Sequence, residues 1–307
     1  MNTEKITLKT FKSEFLPLQV ELGNKIWEKF SYGFYSSLEQ LEASYQGDGF
    51  DPELKLYSFN EGELIGFVTA KVIGEKNGIL TADIAFPHVK DLDETVTDVL
   101  YNEIISKLKE KGVQRITARA GNGRRNTLEL VEKYGFEHVR DQVHLTWLKV
   151  SDINIADLDE LEDIKEFDFD RDIDIVSEFF SKQFNMAVEN ARTNFESIRD
   201  MDKNYLLSHV TVQQDGKIIG RGFLQQLSIK DKQNKIARLS PIIAVNTDKL
   251  DENAVRKGIF RYMVNICKEK GIENLNISFV GVPREKTISY KFLNSEFYTI
   301  SIYQKDI

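Results

Sequence analysis

Cysteine is nearly absent from this chain of 307 residues, which contains only Cys267. A single thiol excludes an internal disulfide and a cysteine-rich zinc site. The four histidines show no metal-ligating spacing such as H-x-x-H with a nearby carboxylate, so a metalloenzyme is not expected. Cys267 lies in mid-helix among apolar neighbours, which favours packing over nucleophilic chemistry.

Long apolar runs are also missing. No stretch approaches the roughly 20 apolar residues that a membrane-spanning helix needs, and the first ten residues lack the apolar core of a signal peptide. Positive charge is in the minority, because 41 Lys and Arg face 49 Asp and Glu, for a formal net charge of -8. A nucleic-acid binder needs a basic face. We therefore expect a soluble, cytoplasmic protein that binds neither nucleic acid nor membrane.

The composition that remains is ordinary for a globular protein, with 41% hydrophobic and 29% charged residues. The chain is long enough for two domains with a core each. Hydrophobic periodicity predicts a strand, two helices, three strands, a long helix, a strand, a short helix and closing strands over 1–150. After an acidic segment at 151–166 the same order is predicted again. An α/β fold with helices on both faces of a mixed sheet follows.

The two halves also match each other in sequence. KEKGVQRITARAG at 109–121 aligns with KEKGIENLNISFVG at 268–281, and NEGELIGFVTAKV at 60–72 aligns with QDGKIIGRGFLQQL at 214–227. An internal repeat of this size predicts two copies of one fold, at 1–150 and 151–307. A coincidence of generic α/β patterns is the alternative.

The stretch 113–136 suggests which fold is repeated. It has the pattern of a strand, a Gly-Asn-Gly turn and a helix that stops at Gly135 before Phe136. A helix ending in Tyr-Gly-Phe after such a turn resembles the last third of the GCN5-related N-acetyltransferase (GNAT) domain. With the repeated element order, nearly the whole chain resembles a tandem protein of this family.

The resemblance implies two tandem GNAT-like domains, each a mixed, mostly antiparallel sheet flanked by helices, whose fourth and fifth strands splay to admit the pantetheine arm of CoA. It implies acetyl-CoA as co-substrate and acyl transfer by direct attack of a primary amine on a small molecule or peptide. A catalytically degenerate module that only binds CoA or another ligand is the alternative. A homodimer is left open.

The resemblance places the CoA pyrophosphate at the N-terminus of the long helix, where backbone N–H groups and the helix dipole favour an anion. The family's Q/R-x-x-G-x-G/A signature is degenerate in both halves. The first half offers Thr95 and Thr97 within the acidic sequence KDLDETVTD, with helix capping as the alternative role. The second half offers Ala254, Arg256 and Lys257 and is electrostatically more favourable, with a solvated helix face as the alternative.

Further CoA contacts are implied by position in the family's fold. Asn126, early in the fourth helix, would contact the pantetheine. Backbone N–H groups of the third strand would lie near the acyl group and hold an oxyanion; these positions are Ile84, Ala85 and Phe86 in the first half, and Ile243 and Val245 in the second.

The resemblance also suggests catalytic groups. Tyr290 looks like the family's tyrosine that protonates the departing thiolate, whereas the first half has Val131 there; packing is the alternative role for Tyr290. A tyrosine hydroxyl, with an ordinary pKa of about 10, suits a leaving thiolate. Asp83 is the first candidate for a general base, with His209 and Glu296 as others, and each of the three could simply be exposed.

Two residue groups complete the expectations. Arg119, Arg124 and Arg125 bracket the Gly-Asn-Gly turn and could meet the adenosine 3′-phosphate or an acidic acceptor, or be surface charges. An aromatic group lies where the family places its acceptor-covering loop, with core packing as the alternative: Trp27, Phe30, Tyr32, Phe34 and Tyr35.

Overall fold

The computed structural model describes residues 6–27, 36–47, 49–122, 125–199, 204–281 and 284–307. The chain forms two compact units. Unit 1 comprises Met1–Gln142 and Tyr298–Ile307, and unit 2 comprises Val143–Phe297. These boundaries differ from the predicted division at 150/151 in two respects. The observed division falls after Gln142, and Tyr298–Ile307 belong to unit 1. Sequence alternation identifies a strand but not its partner, so the place of these last residues was not predictable.

The helices and strands follow the predicted order closely, with differences at their ends. In chain order they are β1 (Ile6–Thr10), α1 (Leu16–Trp27), α2 (Leu38–Ser44), β2 (Lys55–Asn60), β3 (Glu63–Lys76), β4 (Ile79–Val89), α3 (Glu94–Glu110), β5 (Arg115–Gly121), α4 (Thr127–Lys133), β6 (Glu137–Lys149), β7 (Ile164–Glu166), α5 (Phe169–Phe184), α6 (Val188–Arg199), β8 (Leu206–Gln214), β9 (Lys217–Gln225), α7 (Ile229–Gln233), β10 (Ile236–Leu239), β11 (Ile243–Ala244), α8 (Glu252–Glu269), β12 (Asn274–Val280) and β13 (Tyr298–Asp306).

Unit 1 contains a mixed sheet in the order β1-β2-β3-β4-β5-β13. Its strand pairs are antiparallel apart from β4 and β5, which are parallel. Because successive strand residues point to opposite faces, Leu56 of β2 packs in the cluster beneath α3, and Tyr57 packs beneath α1. Helices on both faces of the sheet confirm the predicted α/β fold.

Pro87, which from the sequence alone is expected to break the third strand, lies at a β-bulge. The β3–β4 register shifts between Thr69 opposite Ala85 and Phe67 opposite His88, so two residues of β4 face one residue of β3. Proline has no N–H to donate and is tolerated at such a bulge. The strand therefore continues to Val89 rather than ending.

Unit 2 has the corresponding sheet, in the order β6-β12-β10-β9-β8-β7, with residues 143–149 of β6 opposite β12. Strands β10 and β12 are its parallel pair. A Cβ at Gly222 would lie 2.5 Å from a side-chain carbon of Ile259, so glycine is what allows α8 to pack closely on β9. The apolar run 235–245, whose pattern predicts one continuous third strand for this half, is instead divided into β10 and β11 around Pro241.

Candidate functional site: a cleft between diverging strands in unit 1

The candidate site lies where β4 and β5 separate. The two parallel strands pair from Thr81 opposite Arg115 as far as Ile84 opposite Ala118. Beyond this point β5 continues beside β13 up to Gly121, and β4 continues through the bulge beside β3. The splay of the fourth and fifth strands implied by the resemblance is therefore present in unit 1.

A cavity of about 250 Å³ occupies this divergence. Its walls come from β3, β4 and β5 and from the start of α4: Thr69, Ala70, Lys71, Asp83, Ile84, Ala85, Phe86, Pro87, His88, Arg119, Arg125, Asn126, Thr127 and Leu130. The predicted positions Asp83, Ile84, Ala85, Phe86 and Asn126 are thus brought together, although they come from separate parts of the sequence. Apolar walls with a few converging polar groups are typical of a small-molecule site.

Asp83 is engaged rather than free. Its carboxylate accepts a hydrogen bond from the Thr117 hydroxyl at 2.8 Å and pairs with the Arg119 guanidinium at 3.1 Å. Arg119 Nε in turn donates to the Gln142 side chain at 3.0 Å. Arg119 is thereby held at the cleft wall, and Asp83 can take a proton from a substrate only in competition with this ion pair.

Arg125 brings a second cation to the cleft, partly buried. Its Nη2 donates to the Val89 carbonyl at 3.0 Å, which ties the start of α4 to the end of β4. Its Nε is buried and has no hydrogen-bond partner among the described residues. Burial lowers the pKa of Arg125 to about 10, so it remains charged near neutral pH and is available to an anionic ligand.

The N-terminus of α3 is closed to phosphate by its own sequence. The Asp93 carboxylate accepts from the Val96 N–H at 3.0 Å, and the Thr97 hydroxyl donates to the Asp93 carbonyl at 2.7 Å. Thr97 is thus used within the helix, in agreement with the capping alternative, and Thr95 stands next to Glu94. A carboxylate where an anion would bind repels the pyrophosphate.

In unit 2 the predicted catalytic hydroxyl is a packing group. Tyr290 is only 1% exposed and lies in the main core, edge-on to Phe279 and Phe297. Its hydroxyl accepts a hydrogen bond from the Ile242 N–H, and burial raises its pKa far above the ordinary value. The geometry thus favours the packing role, with the hydroxyl satisfying a backbone group beside Pro241.

The predicted CoA contacts of unit 2 are also occupied by the protein. Arg256 is buried, and its Nη1 donates to the Asn253 side chain at 2.9 Å. Lys257 lies 3.8 Å from the Asp159 carboxylate, and the Ala254 N–H donates to Asp251, which caps α8. These contacts differ from the predicted solvated helix face. They also leave less positive charge at this helix start than the sequence suggested.

The predicted backbone contacts of unit 2 lie in or beside β11. Ile243 faces Arg221 of β9, and the Val245 N–H donates to the Ile219 carbonyl at 2.9 Å. Val245 therefore has no free N–H for an oxyanion.

Solved structures share this architecture over the whole chain. A GCN5-related N-acetyltransferase from Sphaerobacter thermophilus superposes with a TM-score of 0.58 at 14% identity, covering 100% of this chain and 97% of that one. A tandem GNAT protein from the clavulanic acid biosynthesis pathway gives 0.60 at 11% identity, covering 98% of each. A fungal glucosamine N-acetyltransferase region gives 0.52 at 11% identity, covering 98% of this chain and 38% of that chain.

The chain has the tandem GNAT fold. This confirms the predicted fold class. No family model and no curated protein matches the sequence, so the likeness is one of architecture and leaves the activity to be argued from the site.

Within this fold the remaining predicted residues are placed as follows. His209 lies buried in unit 2 against Arg221, and Glu296 is exposed. Arg124, Phe30, Tyr32, Phe34 and Tyr35 lie outside the described residues, as does the side chain of Trp27.

The residues of the cleft wall that sequence reasoning missed include Lys71, His88 and Thr127. His88 stacks on the Phe67 ring at 5.0 Å between centroids. Its position just after the proline of the bulge was the one signal that could have identified it. Thr127 accepts from the Gly121 N–H at 3.2 Å and closes the turn between β5 and α4.

Among the described residues, no group of histidine, cysteine and carboxylate side chains could hold a metal ion. No helix among the described residues has both the length and the apolar character needed to cross a membrane.

Proposed function

We propose that the protein is an acyl-CoA-dependent N-acyltransferase whose unit 1 cleft takes the acyl-pantetheine arm. The acceptor is a primary amine on a small molecule or peptide. The observation that carries the proposal is the cavity at the β4–β5 divergence, bordered by Ala85 on one side and Asn126 on the other. A linear chain of amides can lie along β4 beyond Ile84, because β5 no longer pairs with it there.

The residues fit the pantetheine arm but not the usual position of the pyrophosphate. The start of α3 carries Asp93 and Glu94, and its N–H groups are partly capped. The cations of the cleft are Lys71, Arg119 and Arg125, of which Arg119 is already paired. In this proposal Arg125 is the principal group that attracts the phosphates of the donor.

The chemistry needs no covalent enzyme intermediate. The nitrogen of the neutral amine bonds to the thioester carbon and the carbon–sulfur bond breaks. The nitrogen loses one proton to the base, and the base returns this proton to the departing thiolate, so that amide and thiol are the products. Asp83 and His88 are the groups on the cleft wall that can accept the amine proton. Of the two we favour His88, because imidazole is the commonest general base in enzymes. The carboxylate of Asp83 is engaged by Arg119 and Thr117.

Donor recognition gives the first prediction. The affinity for acetyl-CoA is expected to exceed that for acetyl-pantetheine by less than about tenfold. The reason is that the capped, acidic start of α3 does not bind the pyrophosphate. Arg125→Met should reduce this preference to about onefold by removing a partly buried cation of the cleft. Isothermal titration calorimetry with both thioesters measures the two affinities.

Arg140→Met, an exposed position on β6, serves as the charge-matched control and should leave both affinities unchanged. Absence of binding of either thioester at millimolar concentration contradicts the proposed function. A preference above about 100-fold that survives Arg125→Met contradicts the role of Arg125 alone.

The general base gives the second prediction. His88→Gln is expected to reduce acetyl-CoA-dependent thiol release by about 100-fold, the range of one general base, with acetyl-CoA affinity retained. Asp83→Asn should lower it by less than tenfold. A panel of primary amines with colorimetric detection of free thiol provides the assay. The reverse order of the two variants assigns the base to Asp83.

A binding module without catalysis is the second candidate. Two observations favour it: the capped, acidic start of α3 and the burial of Tyr290. Acetyl-CoA binding by calorimetry together with no thiol release above the uncatalysed rate, for every amine tested, identifies this alternative.

A further inference from the structure

Unit 2 contains a buried arginine that has no carboxylate partner among the described residues. Arg221 on β9 is 6% exposed, and its Nε donates to His209 Nε2 at 2.9 Å. Its two Nη groups have no hydrogen bond or ion pair in the part of the chain that the structure describes. Buried charges in proteins are ordinarily paired, so an anionic partner is expected for the Arg221 guanidinium.

His209 cannot neutralise this charge. Because its Nε2 accepts from Arg221, its own proton must lie on Nδ1, which makes the ring neutral. Burial and the charge of Arg221 lower the pKa of His209 to about 2. Burial lowers the pKa of Arg221 to about 9, so the guanidinium still carries its charge at neutral pH.

Phenylalanine rings surround the guanidinium. Phe180 of α5, Phe195 of α6 and Phe223 of β9 lie with their centroids 5.1, 5.0 and 5.4 Å from its central carbon. Ring faces attract a cation, yet they accept the Nη hydrogens poorly and contribute no negative charge. The surroundings are therefore suited to a ligand with an apolar body and one anionic group.

Two buried hydroxyl groups of unit 2 also lack partners among the described residues. Thr211 lies directly opposite Arg221 in the β8–β9 register and so points to the same face of the sheet. Ser177 lies on α5, one turn before Phe180. Both residues are fully buried, and neither hydroxyl has a hydrogen-bond partner among the described residues. An unpartnered hydroxyl directly opposite an unpaired cation on the same sheet face indicates a missing acceptor.

Unit 1 has a buried cation on the corresponding face of its hairpin. Lys55 of β2 is fully buried, with the rings of Tyr45, Tyr57 and Phe67 at 4.4–5.5 Å from its Nζ. There the Nζ donates to the Thr69 hydroxyl at 2.6 Å. The repeat thus places a cation in an aromatic pocket in each unit. Lys55 has a hydroxyl acceptor there, whereas the Nη groups of Arg221 have none among the described residues.

We propose that Arg221, Thr211 and Ser177 form a binding site for a small carboxylic acid with an aromatic or apolar body. The two Nη groups present a fork that matches the two oxygens of a carboxylate, and the hydroxyls can donate to the same oxygens. A doubly charged phosphate fits less well, because a single guanidinium among phenylalanines would not compensate its desolvation. The proposal is independent of the unit 1 cleft.

Sodium phenylacetate and the uncharged phenylacetamide test the site by calorimetry on the full chain. Phenylacetate is expected to bind the native protein at least about tenfold more tightly than phenylacetamide, as expected for hydrogen bonds to a charged group. Arg221→Met should remove this preference. Arg192→Met, an exposed arginine of α6 paired with Asp174, should retain it.

A second variant keeps the test informative if Arg221→Met does not fold. Thr211→Val removes one unpartnered hydroxyl with little change of volume and should weaken phenylacetate binding by about three- to tenfold. Equal affinity for the acid and the amide overturns the proposal, as does unchanged phenylacetate binding in Arg221→Met or in Thr211→Val.

Discussion

Tyr290→Ala is expected to lower the free energy of unfolding by about 3–5 kcal/mol, the range for removing a buried aromatic ring. Tyr290 is 1% exposed and packs among Phe279, Phe292 and Phe297 in the main core of unit 2. Urea denaturation measures the loss. The substitution would leave a cavity in the core of unit 2, and this cavity accounts for the size of the expected loss.

Tyr290→Phe separates the two roles of the hydroxyl. It leaves the Ile242 N–H without its acceptor and should cost about 1–3 kcal/mol, while thiol release stays within about twofold of the native rate. Tyr262→Phe, whose hydroxyl makes an exposed hydrogen bond to Glu166, is the control and should cost less than about 1 kcal/mol. Loss of thiol release in a stable Tyr290→Phe variant would instead support the general-acid role.

Acidification from pH 7.5 to pH 5 is expected to lower the stability of unit 2 by about 2 kcal/mol through His209 alone. The folded state holds the pKa of this imidazole at about 2, because of burial and the neighbouring Arg221 charge. In the unfolded chain a histidine takes up its proton near pH 6.5. The unfolded state therefore binds more protons below this pH, and stability falls as pH falls.

His209→Gln should flatten this dependence, since an amide oxygen can still accept from Arg221 Nε without titrating. His138→Gln is the control, because His138 is half exposed beside Asp141 and should leave the slope intact. Unfolding free energies from urea titrations at pH 7.5, 6.5, 6 and 5 provide the comparison. An unchanged slope in His209→Gln would contradict the low pKa.

The fold could be predicted largely from local patterns. The hairpin around Glu61 and Gly62 and the helix stops at Gly112 and Gly271 lie where turn and cap residues placed them, and all four have positive φ. Such positions favour glycine and short polar turns whatever the rest of the chain does. The pairing partner of a strand cannot be predicted in this way. The sequence of β13 has an ordinary strand pattern that does not indicate its pairing with β5.

The candidate site could be predicted only in part. The positions from Asp83 to Phe86 and Asn126 line one cavity, because the order of elements fixes which strands end there. Their role in binding CoA stays a prediction. Arg256 was misjudged for a physical reason: a long side chain at a helix start can point to solvent or fold under a neighbouring ring, and sequence does not distinguish the two. Its guanidinium lies 5.8 Å from the Tyr290 ring centroid.

The sequence by itself determined the repeat, the α/β class and the positions of turns and helix ends, because these depend on periodicity and on the backbone preferences of single residues. Tertiary structure alone decided that a cleft opens in unit 1 where β4 and β5 diverge, that the Tyr290 hydroxyl is buried against the Ile242 N–H, and that Arg221 contacts His209. Burial and charge pairing depend on residues far apart in the chain, and only the folded packing brings them within hydrogen-bond distance.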